Sequence, residues 1–406
     1  MRFLTDNRAQ SIQVGAVLLF GVLIILLSTW QAFVIPNQNE DIEFNHNEDV
    51  QQQMTEVRTT INSMPDSATT RSATVDLGLR YPSRTIFRNP PPVSGTLTTD
   101  GTTNPEVNIS ISNAKATAES ALGVGDFWNG STRSYQTGSI QYRPSYNQYD
   151  NAPTTIYEHS VLYNRFEREE TQLAITDQTL IQDGRLSLTA LNGSLSETRV
   201  GSTSVDFEPK STQTATVTVE QADSDPVTIE LPTRLSAQRW NESLGPGHNV
   251  TTVAGAFPDS DRSLVRISLD NRTYRLQLAK VGVGPDATDT DAEYLTLTDP
   301  STVDEPITLE QDERREFVLE VRDKYNKPLR GETVYADAGN TIENRRQTSG
   351  DGRARFTYEA GDTGSDTVQF SILDPIGGPV DDGAPEEIAV DIEVEGDETQ
   401  SGTSLA

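Results

Sequence analysis

Imidazole is the side chain best suited to acid–base work near neutral pH, and this 406-residue chain has three histidines, His46, His159 and His248. None lies in a Gly-x-Ser-x-Gly, His-Glu-x-x-His or Walker-A pattern, so spacing marks no nucleophile, zinc pair or phosphate cradle. Each reads as a surface or structural histidine, and no catalytic residue is assigned. There is no cysteine, which removes disulfides, thiol nucleophiles, thiolate zinc sites and a lipid-modified cysteine anchor. Asp and Glu together number 61. A chain so acidic always offers some pair at glycosidase spacing, so such a pair carries no weight before geometry is known. In "PDATDTDAEY", Asp286, Asp289, Asp291 and Glu293 fall close together on one loop, an arrangement that can bind calcium through several oxygens. The loop lacks the glycine of an EF-hand, and a solvated acidic loop is the plainer reading. Neither metal nor cofactor is assigned.

The remaining chemistry is modification. Asn-x-Ser/Thr sequons occur at Asn108, Asn129, Asn192, Asn241, Asn249 and Asn271. Asn129-Gly130, Asn192-Gly193 and Asn271 fall where turns are expected, so a sugar there would face water. N-glycosylation of some of the six is expected.

Net charge is −29, with 32 basic residues of which five are lysine. Phosphate recognition needs basic patches, so the balance argues against nucleic acid or anionic lipid as a partner of the soluble part. Acidic, lysine-poor surfaces resemble those of proteins from salt-loving microbes, where salt screens the self-repulsion. Hydrophobic residues make up 34%, below the roughly 45–50% of an average soluble domain. That points to thin β-layers rather than one large core, and the length allows two or three domains.

These residues must be positioned by three kinds of element. From Val14 to Leu27 every residue is apolar or glycine, and Ile12 and Trp30–Ile35 extend the run to a length that crosses a bilayer. Trp30 and Phe33 would sit at the outer interface, and Pro36 would end the helix. Arg2 and Arg8 precede the span and five carboxylates follow it, which places the N-terminus in the cytoplasm and the rest outside. No small-x-small cleavage pair follows Leu27 in good context, so removal of the span as a secretion signal is not expected.

Val50, Met54, Val57, Ile61 and Met64 then repeat at steps of four and three. They form the apolar stripe of an amphipathic helix, capped by Asn47 and closed by Pro65, packed on its own β-domain or against another subunit. From about Ser67 the period becomes two, with runs at Thr74–Leu79, Val107–Ile111, Ser139–Tyr142, Leu186–Leu188 and Ala215–Val219. Val265–Leu269 and Tyr274–Leu278 read as a hairpin across Asp270-Asn271-Arg272. Thr233 would cap a short helix, "RLSAQRWNESL", stopped by Gly245. The fold class is therefore mainly β: an N-terminal transmembrane helix and a short amphipathic helix, then a β-sandwich region and a terminal sandwich.

Three segments resemble known families. A short polar leader, Arg8-Ala9-Gln10 and an unbroken apolar helix resemble the class III signal of archaeal pilins and archaellins. The resemblance implies cleavage by a prepilin peptidase between Ala9 and Gln10, with the helix kept on the mature protein. Bacterial-type pilins carry Glu at the fifth mature position, where this chain would have Val14. "RYPSRTIFRNPPPVSGTL", Arg80 to Leu97, is similar to a segment of haloarchaeal surface proteins, and its three consecutive prolines read as a stiff connector. Finally, Asp323, Asn326-Lys327-Pro328 and "TSGDG" at Thr348–Gly352 resemble an invasin-type bacterial Ig-like domain. The resemblance implies a sandwich serving as spacer or adhesive module, with Asn326 in place of the family's glycine at a left-handed turn.

The expected division is a cytoplasmic leader at 1–9, a transmembrane helix at 10–36, an amphipathic helix at 37–66, a β-sandwich at 67–302, an Ig-like domain at 303–395 and an acidic tail at 396–406. The expected function is a non-catalytic, pilin-like surface protein, structural or adhesive, partnered by the lipid bilayer, a prepilin peptidase and other pilin-like subunits. The alternative is a single-pass protein with a ligand-binding or hydrolytic ectodomain.

Overall fold

A computed structural model of the chain describes residues 7–168, 171–212, 215–257, 260–300, 306–339, 342–374 and 383–396. The leader ahead of Asn7 and the acidic tail from 397 onward lie outside the described residues.

The N-terminal part is helical without a break. Helix α1 (Asn7–Thr29) passes through a π turn (Trp30–Val34) into α2 (Ile35–Asn62). Pro36 does not end the helix as its ring chemistry led us to expect. A proline ring collides with the carbonyl four residues back. Here the Ile35 N–H reaches five residues back to the Trp30 carbonyl, so the helix is widened where the ring needs room. Pro36 then enters as a first-turn residue of α2, where its missing N–H is harmless.

One face of α2 is buried from end to end. Val50, Met54, Val57 and Ile61, followed by Met64 in the 3-10 turn Met64–Asp66, are sealed against Val75, Leu97, Tyr142, Phe207 and Val281. The stripe therefore packs on the chain's own β-region. Asn47, expected as an N-cap, lies in mid-helix on that same buried face.

Downstream, alternation with period two builds three sheets. The seven-stranded sheet runs Arg71–Asp76, Ser202–Ser211, Tyr274–Val283, Arg185–Asn192, Ile181–Gln182, with Val217–Gln221 and Ala114–Ala116 joined beside the start of the Tyr274 strand. A six-stranded sheet runs Ser196–Arg199, Ser94–Asp100, Ser139–Ser145, Thr154–Glu158, Val161–Phe166, Thr171–Ala174. A five-stranded sheet runs Asn249–Val253, Ser263–Ser268, Thr228–Thr233, Asn108–Ser112, Arg133–Gln136. Their apolar faces meet around Trp128, Trp240 and Tyr274. Arg234 ties two of the sheets together, its buried guanidinium meeting the carboxylates of Asp100, Glu158 and Asp261. Breaking a buried network of this kind by removing one member is strongly destabilising.

Ser263–Ser268 and Tyr274–Val283 are not a hairpin, since they belong to different sheets. Both turn their apolar side to the same core, so alternation identified the buried face and said nothing about the neighbour. The short helix is Ala237–Leu244, capped by the Ser236 side chain and stopped at Gly245 as expected; Thr233 ends a strand instead.

The C-terminal unit is a two-sheet sandwich. Tyr294–Asp299, Arg314–Arg322 and Arg353–Glu359 form one sheet. Ile307–Glu310, Glu387–Glu395, Gly364–Ser371, Thr333–Asp337 and Arg345–Gln347 form the other. Phe317, Phe356, Phe370 and Val390 fill the space between them. Because Tyr294–Asp299 pairs with Arg314–Arg322, the unit begins ahead of the expected residue 303. The "TSGDG" turn joins strands of opposite sheets, Arg345–Gln347 and Arg353–Glu359. Gly352 has φ 78° there, and a Cβ would run into Pro328.

Candidate functional site

Within α1 the side chains from Val14 to Leu26 are bare. Ten large apolar residues there are each about half exposed or more, Leu19 at 72%. Leaving such groups in water instead of burying them costs about 2 kcal/mol each, on the order of 20 kcal/mol in total. The helix is long and apolar enough to cross a membrane. Thr29 satisfies its hydroxyl within the helix by donating to the Ile25 carbonyl at 2.8 Å.

Where the apolar run ends, the chain between Arg80 and Pro92 lies along the helix as a strap. Its neck is closed by two backbone bonds, Leu79 N–H to Val93 O at 3.1 Å and Val93 N–H to Leu79 O at 3.0 Å. Gly78 is required beneath that neck, since a Cβ would strike the Val93 carbonyl oxygen. Three sets of contacts fasten the strap. At the near end, the Gln31 amide donates to Arg88 O at 3.0 Å and accepts from Arg88 N–H at 3.0 Å, while Trp30 stacks on Phe87 with ring centres 6.3 Å apart. In the middle, Arg84 donates to Gln38, to Asn39 at 3.2 Å and to Asn89 at 2.9 Å. At the far end sits Glu43.

Glu43 is fully buried. Its carboxylate accepts from the Tyr81 hydroxyl and from three consecutive backbone N–H groups, Asn147 at 3.0 Å, Gln148 at 2.8 Å and Tyr149 at 2.6 Å. A carboxylate held by several amides satisfies the burial requirement for a charge without a cationic partner. Burial, then the bond to Glu43, holds the Tyr81 phenol above its ordinary value, so it remains a donor. One turn further, His46 Nδ1 and the Tyr146 hydroxyl share a hydrogen bond of 2.7 Å, and burial lowers the pKa of this imidazole. Asn47, Glu43 and Asn39 extend the Val50–Ile61 stripe backward by a step of three and then two of four. That spacing could have revealed them; their polarity hid them.

His159 and Ser160 are adjacent in the chain, and each side chain is bonded to a third residue. His159 and Ser160 are the turn between Thr154–Glu158 and Val161–Phe166, both left-handed with φ 47° and 73°. His159 Nε2 bonds the Pro232 carbonyl at 2.9 Å, and Ser160 Oγ accepts the Thr179 N–H at 2.9 Å. Each bond helps to hold the turn, while His159 Nδ1 is buried without a hydrogen-bond partner and both residues line a cavity shared with Asn62, Thr179, Asp183 and Arg185. Burial lowers the His159 pKa, so the neutral form is favoured in the folded chain. An unfolded histidine titrates at its ordinary 6.5. The neutral-histidine contribution is thus complete above that value and is lost as the pH falls below it toward the depressed folded value. Chemical denaturation followed above and below pH 6.5 should show stability decreasing on acidification, and His159→Gln should flatten that slope. His248 lies in the loop before Asn249–Val253.

The acidic loop does not converge on a common point. Asp286 accepts from Ser194 Oγ at 2.6 Å, whereas Asp289 turns to Lys210 at 3.3 Å. Among the described residues no group of three His, Asp or Glu side chains is placed to hold a metal ion. The backbone of Arg8, Ala9 and Gln10 is the start of α1. Among the sequons, Asn129, Asn241, Asn249 and Asn271 are exposed and Asn108 is half-buried. Asn192, expected in a turn facing water, is the last residue of a strand and only 6% exposed. Its amide donates to Thr102 O at 3.3 Å and accepts from the Thr288 N–H at 2.8 Å. Glycopeptide mapping should find sugar on exposed sequons such as Asn271 and none on Asn192.

No family model matches the chain. It is similar to an uncharacterized protein of Archaeoglobus fulgidus, 23% identical over 388 residues that cover 90% of this chain. The match spans 61% of the length of that relative. Similar solved structures include domains 4 and 5 of the S-layer protein SbsC, at 12% identity and TM-score 0.20 over 53% of this chain and 97% of that one. The D00-D0 domain of Intimin is another, at 12% identity and TM-score 0.21 over 46% and 91%. At these scores the likenesses carry no argument, and the sandwich description rests on the strand pairing above.

Proposed function

We propose that this chain is a membrane-anchored cell-surface protein of pilin-like build, structural or adhesive in its work. The observation that carries this reading is the unbroken helix from Asn7 to Asn62, bare and apolar over its first half and built into the ectodomain core over its second. A separate anchor would need only the first half, and a soluble protein only the second. The positive flank at Arg8 and the acidic residues beyond Pro36 favour a cytoplasmic N-terminus with the β-units outside. The acidic, lysine-poor composition fits a halophilic archaeon, exposed sequons fit a glycoprotein, and the terminal sandwich fits a spacer or adhesive module. A prepilin peptidase and other pilin-like subunits are the partners this reading calls for.

Mass spectrometry of the N-terminal peptide, from membranes and from sheared surface material, tests it. A mature start at Gln10, present in the sheared fraction, supports processing and assembly. An intact leader found only in membranes retains the anchor and removes the filament. A start beyond Leu27, with the protein free in the medium, overturns the reading.

A further inference from the structure

The strap ends in a tip that nothing in the ectodomain covers. Ile86 is 72% exposed although it is aliphatic. With Phe87 and Arg88 it borders a shallow groove completed by Leu27, Ser28, Gln31 and Ala32 of the helix. These helix residues belong to the end of the apolar run. A bilayer core of about 30 Å takes about 20 helical residues, and the span from Ile12 to Ile35 is longer than that. Wherever the core is placed along it, Leu27 lies within the core or at its edge, so the strap tip does too.

We infer that Ile86, Phe87 and Arg88 form a second membrane contact, seated in the outer headgroup–acyl boundary beside Trp30. The inference rests on the anchor reading above and adds to it a lipid-binding surface on the ectodomain. Irregular backbone is not tolerated bare in hydrocarbon, so the tip belongs at the boundary and not in the core. That position sets the outer edge of the core near Gln31, about 20 residues on from Ile12, not at Ile35. Trp30, Phe33 and Phe87 then form an aromatic belt at one height, as rings do at this interface.

Polar groups at the same height are arranged for a site short of water. Gln31 interrupts the apolar run, yet its oxygen and its amide nitrogen are both used by the backbone of Arg88. Each group that would be expensive to desolvate satisfies another. Charge agrees as well. Between Asp76 and Asp100 there is no acidic residue, while Arg80, Arg84 and Arg88 recur at steps of four. This segment is basic within a chain of net charge −29. Arg84 is occupied in holding the strap, whereas the Arg88 side chain is exposed beside the tip, where a lipid phosphate would meet it. The composition-based case against anionic lipid therefore fails locally, at the one face that meets the membrane.

The absence of native cysteine makes the test direct. The full chain is prepared as three single variants, Ile86→Cys, Leu23→Cys and Leu173→Cys, each labelled with an environment-sensitive fluorophore. Each is reconstituted into vesicles of phosphatidylcholine and phosphatidylglycerol in equal parts. Lipids carrying a nitroxide near the headgroup or near the chain end serve as quenchers. Leu173 is an exposed residue of the ectodomain and the water-side control; Leu23 reports insertion of the helix. The expected result is quenching at Ile86 by headgroup-proximal nitroxide at least about twofold above that at Leu173, with Leu23 quenched best by the deep nitroxide. Quenching at Ile86 no greater than at Leu173, with Leu23 quenched deep, overturns the inference and leaves the anchor standing. An Ile86 label with blue-shifted emission and no response to either nitroxide shows a protein cover, such as a second copy, and also overturns it. A Leu23 label that no lipid quenches removes the anchor reading and this inference with it.

Discussion

Replacing Glu43 by alanine should lower the unfolding free energy of the β-region packed on α2 by about 4 kcal/mol and release the strap. The substitution removes the acceptor for the Tyr81 hydroxyl and for three backbone N–H groups at once. A buried donor left unsatisfied costs about 1–3 kcal/mol, and partial hydration of the loop recovers some of the sum. Glu43→Gln retains one acceptor oxygen but turns an NH2 toward groups that also donate, so about half of the loss is expected. Denaturant titration supplies the free energy. Trypsin supplies a readout for the strap itself, since Arg84 and Arg88 become cleavable once Tyr81 and the 147–149 loop let go. An alanine variant within about 1 kcal/mol of the parent, with an uncut strap, would show that the carboxylate does not hold these elements.

The second large effect is expected at Asn326. Its φ is 68°, and its side chain is fully buried where the two β-units meet. The amide oxygen accepts from Trp128 Nε1 at 3.0 Å and from the Tyr294 hydroxyl at 3.0 Å, while its backbone carbonyl accepts the Ala215 N–H at 3.0 Å. Tyr325 packs its ring against Tyr135 beside it. Asn326→Gly keeps the left-handed backbone and deletes the two side-chain bonds, for an expected loss of about 2–3 kcal/mol. Asn326→Ala deletes the same bonds and adds about 1 kcal/mol for a Cβ in that conformation. The difference between the two variants isolates the backbone contribution. Equal stability of both with the parent would show that the junction is held without this residue.

The contrast at Asn326 also shows how far the sequence could be read. Its left-handed turn was expected from the Ig-like resemblance, and the structure has it. That Asn serves better than the family's Gly because it reaches Trp128, nearly two hundred positions away in the chain, follows only from the fold. The same limit explains Glu43. Apolar periodicity detects residues that are buried because water rejects them. It is blind to a polar group buried because distant backbone donors converge on it. At Asn192 the Asn-Gly pair read as a turn, but only Gly193, at φ 103°, leaves the strand. The strand runs four residues past Leu188, where the expected run stopped, and its last residue turns inward. In the Arg80–Leu97 segment the prolines suggested a stiff connector. They did not disclose that the segment doubles back along the helix, because its partners Gln31, Gln38 and Asn39 look like ordinary polar helix residues.

The passage of α1 into α2 without a linker has a mechanical consequence. At 1.5 Å per residue, α2 is a rod of about 42 Å, and the β-region is packed along it rather than suspended from it. A pull on the terminal sandwich is therefore not absorbed by slack chain between helix and β-region. With α1 as the proposed anchor, it arrives in the bilayer as a bending moment on that helix, and the π turn, where helical bonding is already loosened, is where that moment would be relieved. An anchor built this way holds its cargo at a set height and heading, and it yields by tilting as a whole.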